Sequence, residues 1–200
     1  MTSHSQAAGG GIFIKKMQPS NLPFLHTFSR KAYSLNFHHH WEKGGLEPYL
    51  EKVFGLSILE TELADPAIHY YVVFDAEKPI LSEEELMASE SEPIAFMKLD
   101  LFSNLPDQDP AAGIELDKLY VLPTAQGNGA GKILMEKAFE LAKEQQKKLF
   151  WLGVIDTNRE AIAFYQRWGF RFHSATRITL PGFREERRGM WRMFLALDPA

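Results

Sequence analysis

Two hydrophobic periods alternate along this chain, and each change of period marks an element. Residues 12–17 open with a strand-like run, and Pro19-Ser20-Asn21 punctuates it. Leu22, Leu25, Phe28 and Ala32 then recur at three- and four-residue spacing, which predicts a helix over 22–35. Residues 46–54 and 56–64 read as two short helices, closed by Asp65-Pro66. The β-branched and aromatic stretch 69–75 predicts a strand, and 78–93 a polar loop with room for a short helix. Period two returns over 94–101.

The signals sharpen further on. Residues 113–122 (GIELDKLYVL) form a strand ended by Pro123, and 129–146 an amphipathic helix with Leu134, Ala138, Leu141 and Ala142 on one face. Residues 149–155 are almost continuously apolar, the pattern of a strand buried on both faces. Residues 158–168 form a helix stopped by Gly169, and 170–173 and 190–197 are closing strands. With no repeat or interdomain linker, residues 12–200 read as one mixed α/β domain behind a flexible tail, 1–11.

Composition narrows the class. In 200 residues, 45% apolar and 24% charged side chains suffice for a core and exclude a disordered or collagenous chain. No apolar run reaches the ~18 residues that span a bilayer, and the first residues lack the basic and apolar regions of a secretory leader. The absence of Cys removes disulfides, thiolate metal sites and Cys nucleophiles together. A cytoplasmic protein without membrane contact is expected, as monomer or homodimer. The net charge of −4 argues against nucleic acid as a partner. Eight of nine Arg lie between Arg159 and Arg192, whereas Glu83, Glu84, Glu85, Glu90 and Glu92 form an acidic run that reads as a solvated loop.

Gln126-Gly127-Asn128-Gly129-Ala130-Gly131-Lys132 joins a strand to a helix. Glycines there let backbone N–H groups approach phosphate oxygens, and the helix dipole favours the charge. A P-loop is excluded, because Gln126 stands where its first Gly belongs and Ile133 where Ser or Thr follows the Lys. The spacing G-x-G-x-G also fails the dinucleotide fingerprint. Q-x-x-G-x-G is what remains, with a plain tight turn as the alternative. After LYVLP, this pattern resembles the pyrophosphate-binding motif of the GNAT superfamily of N-acetyltransferases. LFWLGVIDTNREAIAFYQRWGF resembles that family's second motif, through Asn158, Ala161, Phe164, Tyr165, Gly169 and Phe170. The likeness covers Glu115 to Phe172.

That resemblance implies the GNAT acyl-CoA N-acyltransferase fold, a mostly antiparallel twisted sheet flanked by helices. It also implies acetyl-CoA as cosubstrate, with no metal. Gln126 to Lys132 would meet the pyrophosphate; the strand edge at Leu119, Tyr120 and Val121 would meet the pantetheine amides; Asn158, Ala161, Phe164 and Tyr165 would complete the site. Tyr165 would protonate the leaving thiolate, the alternative being a packed core Tyr. Glu115, eleven residues before Gln126, is either the base that takes the amine proton or a binder of a cationic substrate. Strand alternation places Asp117 on the same face, as a substrate binder whose repulsion can raise one of the two pKa values.

The implied acceptor is a small-molecule primary amine. LEPYLEKVFGLSILETELADP and YYVVFD resemble the PaiA-type spermidine/spermine acetyltransferases, and Glu42, Glu47, Glu51, Asp100 and Asp117 could receive a polycation or be ordinary surface carboxylates. A protein N-terminus or Lys acceptor, and a non-catalytic CoA-binding module, are the rival classes. His38-His39-His40 lacks metal-ligand spacing and reads as a loop, at the surface or entering the substrate side.

Overall fold

The computed structural model describes residues 11–76, 92–106 and 108–197. The expected tail (1–10) and the body of the polar, acidic loop (77–91) lie outside the described residues. Gly11 and Glu92–Pro93 fall within strands.

Seven strands form one sheet: β1 (Gly11–Lys16), β2 (Ile68–Ala76), β3 (Glu92–Asp100), β4 (Gly113–Val121), β5 (Leu149–Ile155), β6 (Arg171–Arg177) and β7 (Gly189–Ala196). Their order is β1-β2-β3-β4-β5-β7-β6. Every pairing is antiparallel except β4 with β5. The helices are α1 (Leu22–Phe37), α2 (Leu46–Phe54), α3 (Leu56–Ala64), α4 (Ala130–Glu144) and α5 (Arg159–Arg167). All the elements read from the two periods are present. α1 runs two residues past its expected end and continues as a 3-10 turn through His38–His40.

Alternation along β2 and β3 assigns the two faces of the sheet. Phe74 and Phe96 meet Phe24 and Phe28 of α1 at ring-centroid distances of 5.7 and 6.1 Å. On the other face Lys137 of α4 lies 5.9 Å over the ring of Tyr71. Tyr70 to Phe74 and Ile94 to Met97 are accordingly all buried. The strand covered on both faces is therefore not β5, where Phe150, Leu152 and Val154 are buried but Trp151 is half-buried and Gly153 exposed. An apolar run is a necessary mark of two-sided burial but not a sufficient one.

Polar groups fix both ends of α5. Asn158 Oδ1 accepts the Ala161 N–H at 3.1 Å. Gly169 takes φ +92°, and the Phe170 N–H returns to the Tyr165 carbonyl at 3.1 Å, which closes the helix. Tyr165 is thereby held on a capped two-and-a-half-turn helix against the sheet.

Candidate functional site

The site begins where two strands part. β4 is in register with β5 only from Gly113 opposite Leu149 to Leu116 opposite Leu152. Beyond that point β4 stays with β3 as far as Val121, and β5 stays with β7 as far as Ile155. The β3–β4 register slips between Lys98, opposite Lys118, and Leu99, opposite Leu116, so Asp117 is the extra residue of a bulge. A bulge bends its strand and increases its twist. The Leu122 N–H donates to the Ile94 carbonyl at 2.8 Å. Alternation then places Tyr120 in the ladder opposite Phe96 and turns the Leu119 and Val121 amides toward the opening. Three successive backbone partners were expected there; the pleat leaves two. The Val121 carbonyl already accepts from Asn36 Nδ2 at 3.1 Å.

A cleft of about 410 Å³ lies along this edge. Leu119, Tyr120 and Val121 form one wall; Gln126, Gly127, Gly129, Gly131 and Lys132 form the end; Asn158, Ala161, Phe164 and Tyr165 face them. Asn128 and Ala130 serve the loop itself, because Asn128 Oδ1 accepts the Ala130 N–H at 3.0 Å. Gly127 and Gly129 have φ of +84° and +95°, and a Cβ on either would meet nothing within 4 Å. Space is thus open on the side where the loop presents its backbone. The Ile133 N–H to Gly129 carbonyl bond (3.1 Å) begins the helical ladder, so the amides of Gly131 and Lys132 are left over for an acceptor. With Lys132 and Arg167 against Glu160, the lining carries net positive charge. This end suits a phosphate group.

A second cavity, about 430 Å³, is lined by both parted strands, by Leu116 to Tyr120 of β4 and Gly153 to Ile155 of β5. Both cavities are lined by Phe37, Leu119, Tyr120, Asn158, Ala161 and Tyr165, which therefore mark their junction. The Tyr165 ring packs edge-on against Phe164 and Phe170 at 5.4 and 6.0 Å. Burial pushes its hydroxyl pKa up, so the phenol keeps its proton at neutral pH.

The two acids of β4 have different surroundings. Glu115 Oε2 accepts from Ser103 Oγ at 2.7 Å. Burial pushes its pKa up to about 7; the Ser103 hydroxyl opposes this, and the nearby Asp117 and Asp100 add to it. Repulsion between the two acids thus acts, but second to desolvation. Glu115 is not among the residues that line either cavity. Asp117 does line the second cavity, at the bulge rather than in simple alternation with Glu115. Its Oδ2 lies 2.8 Å from both Lys98 Nζ and Lys118 Nζ. Burial opposes its charge, yet the two ammoniums outweigh that and hold it at about 2. Lys98 also pairs with Glu62, which accepts from the Tyr70 hydroxyl. Asp117, expected as a substrate binder, is therefore already paired with two ammonium groups.

The other acids considered for a polycation lie elsewhere. Glu47 and Glu51 pair with Arg30 on the surface, Glu42 lies 3.9 Å from Arg184, and Asp100 accepts the Phe102 N–H at 2.9 Å. None of them lines either of these two cavities. Of the His run, His38 and His39 are exposed and only His40 packs inward. His40 is buried between Phe37 and Phe183, at centroid distances of 5.5 and 5.8 Å, and its carbonyl accepts the Arg184 N–H at 2.9 Å. Among the described residues no group of three His, Cys, Asp or Glu is placed to hold a metal, and no helix is long and apolar enough to cross a membrane.

The aromatic residues between Phe24 and Phe54 read from the sequence as core and groove lining, and Tyr33, Phe37 and Tyr49 among them do line the cavities, whereas Asn36, Arg167 and the 177–183 segment were missed. Tyr33 and Phe37 are one helical turn apart, so α1 offers them together. Nothing local in the sequence shows which side of the sheet that face meets.

The family model for the acetyltransferase (GNAT) family matches residues 30–170. An N-acetyltransferase of Lactobacillus delbrueckii subsp. lactis, itself uncharacterised, is 26% identical over 159 residues, which is 80% of this chain and 84% of the relative. The spermine/spermidine N(1)-acetyltransferase of Bacillus subtilis is 28% identical over 85 residues, covering 42% of this chain and 56% of that protein. Among solved structures, the PaiA N-acetyltransferase of Thermoplasma acidophilum in complex with coenzyme A superposes with a TM-score of 0.67. It is 18% identical, with 94% of this chain and 99% of that chain covered.

The packing of His40 carries a pH dependence. Burial, with His39 and Arg187 nearby, pushes its pKa down to about 4, and its Nδ1 has no hydrogen-bond partner among the described residues. Between pH 6.5 and 4 the unfolded chain binds a proton there that the folded chain refuses. Stability present above 6.5 is therefore lost as pH falls through this window. Urea unfolding across that range should show the loss, and in His40→Phe it should be shallower by up to about 1.4 kcal/mol per pH unit. Identical slopes in the two proteins would remove His40 from this role.

Proposed function

The chain belongs to the acetyltransferase (GNAT) family, and from that premise we propose that it transfers the acetyl group of acetyl-CoA directly to a primary amine. The observation that carries this reading is the meeting of two cavities at Tyr165, beside a strand edge that has lost its neighbour. One cavity ends in unpartnered helix amides and positive charge, which fits a pyrophosphate. The other is separate and faces the same tyrosine.

In the proposed reaction the amine nitrogen attacks the thioester carbonyl carbon, the carbon–sulfur bond breaks, and the thiolate takes the Tyr165 proton. The edge amides of Leu119 and Val121 are the donors available to the pantetheine arm and the developing oxyanion. Glu115, with a pKa of about 7, accepts the proton lost by the amine, relayed through water since it stands outside the cavity lining. No Cys is present to carry the acetyl group, in keeping with direct attack.

The polyamine acceptor draws support from the relatives named for spermine and spermidine, but the acidic side chains enlisted for it are paired or remote. The primary test is acetyl-CoA turnover, followed by thiol release, across polyamines, amino acids, aryl amines and Lys peptides. Absence of thiol release with every class would overturn the reading.

Three variants dissect it. Gly129→Val forces a β-branched residue into φ +95° and fills the open side of the loop. CoA affinity by calorimetry should fall at least about tenfold, since the amides lose their approach to the phosphate; unchanged affinity would dissociate this loop from the nucleotide. Tyr165→Phe keeps the packed ring, so CoA affinity should hold while turnover drops ~10²-fold. Near wild-type turnover, with chemistry rate-limiting, would leave Tyr165 a core residue only. The pH–kcat profile should rise through about 7 as Glu115 ionises, and Glu115→Gln should remove that limb. Persistence of the limb in the variant would assign the proton to another acceptor.

A further inference from the structure

The second cavity is not an acidic one. Its ionisable lining, tyrosines aside, is Asp117, Lys118 and Arg177, one negative charge against two positive. The single carboxylate is already engaged by Lys118 and by Lys98 behind it. A polycation would surrender hydration on entering and find no unpaired counter-charge. The rest of the wall is mostly ring and aliphatic surface, with Tyr33, Tyr49, Phe183, Ile178, Leu180 and Met190 among its members and Asn158 and Thr179 adding polar groups. Aromatic faces tolerate one ammonium, which is what the attacking amine needs before it loses its proton.

Arg177 is the group free to recognise a second function. It stands at the end of β6, its side chain 57% exposed, and pairs with Glu185, which is 74% exposed and shared with Arg188. An exposed ion pair of this kind contributes little and is readily exchanged. A guanidinium offers a carboxylate two parallel donors. The cavity's 430 Å³ holds a body of amino-acid size.

We infer that the acceptor is a primary amine on an aromatic or branched apolar body that also bears a carboxylate, which Arg177 binds at the cavity rim. This rests on the acetyl-transfer reading above and names the substrate class of the same site.

The test is initial-rate kinetics with acetyl-CoA and three matched pairs: phenylalanine and phenethylamine, tryptophan and tryptamine, leucine and isopentylamine. Spermidine is a further arm, and Arg177→Gln and Arg177→Lys are compared with wild type. In at least one pair the carboxylate-bearing member should have the higher kcat/KM by about tenfold or more, the scale of a charge-assisted hydrogen bond. Arg177→Gln should raise KM for that member with kcat little changed, leave its decarboxylated partner within about twofold, and Arg177→Lys should recover part of the loss. Equal loss for both members would mark Arg177 as structural and overturn the inference. Preference for spermidine or for the decarboxylated amines would overturn it too, while leaving acetyl transfer intact. If no amine in the set or in the wider screen releases thiol, acetyl transfer fails and the inference fails with it.

Discussion

The parallel contact between β4 and β5 ends after four residue pairs, and the usefulness of this fold follows from that. A strand inside a sheet has its backbone groups satisfied on both sides. By leaving β5 at Leu116 while remaining with β3, β4 gives up one side over the stretch that ends at Val121. Apart from the Val121 carbonyl, which Asn36 satisfies, those groups then require water or a ligand. The glycine loop and α4 follow directly from the C-terminal end of β4, and α5 follows from the end of β5. The two helix starts therefore arrive at the same opening from its two walls. The cleft is a topological consequence of one interrupted pairing, and the side chains lining it specialise a space the backbone has already made.

The interruption is held by charge. Asp117 occupies the bulge, between Lys98 of the neighbouring strand and Lys118 beside it, and Glu62 of α3 anchors Lys98 from the helix layer. Buried pairs of this kind add little net stability over an apolar replacement, but losing one partner strands the other at a cost of several kcal/mol. Such a network penalises any register that does not place its members together. That suits a bulge, since sliding β4 by one residue would exchange the faces of every side chain beyond it.

Legibility in the sequence follows the same division between local and distant causes. The element periods, the Gly169 stop and the glycine loop each depend on residues within one or two turns, and each was readable. The bulge was not, because its cause lies on another strand and on α3. The apparent two-sided burial of β5 failed for a related reason: apolar content describes what a strand tolerates, and its neighbours decide what covers it. The wall of the second cavity combines α1, α2, β4, β5, α5, β7 and the segment from the end of β6, and no local pattern could assemble these parts. The acidic residues left two readings open, and only their distant partners decide between them. Glu47 and Glu51 look available in the sequence but are occupied by Arg30 from α1.

Glu115 and Asp117 show how far placement outweighs residue type. They stand two positions apart on one strand, with the same functional group and similar intrinsic acidity. One lacks a cation in contact and is hydrogen-bonded by a neutral hydroxyl, so burial carries its pKa to about 7. The other is deeper in charge than in apolar surface, and two ammoniums hold it at about 2. The bulge sets Asp117 beside Lys98 and Lys118, whereas Glu115, still within reach of Asp117's repulsion, is hydrogen-bonded by the Ser103 hydroxyl. Two carboxylates pushed apart in this way can serve different ends at one pH. Asp117 remains charged and fixes the backbone, whereas Glu115 can exchange a proton near neutrality. The bulge that places Asp117 between two ammoniums thus keeps one acid fixed and charged beside another that is poised to exchange a proton.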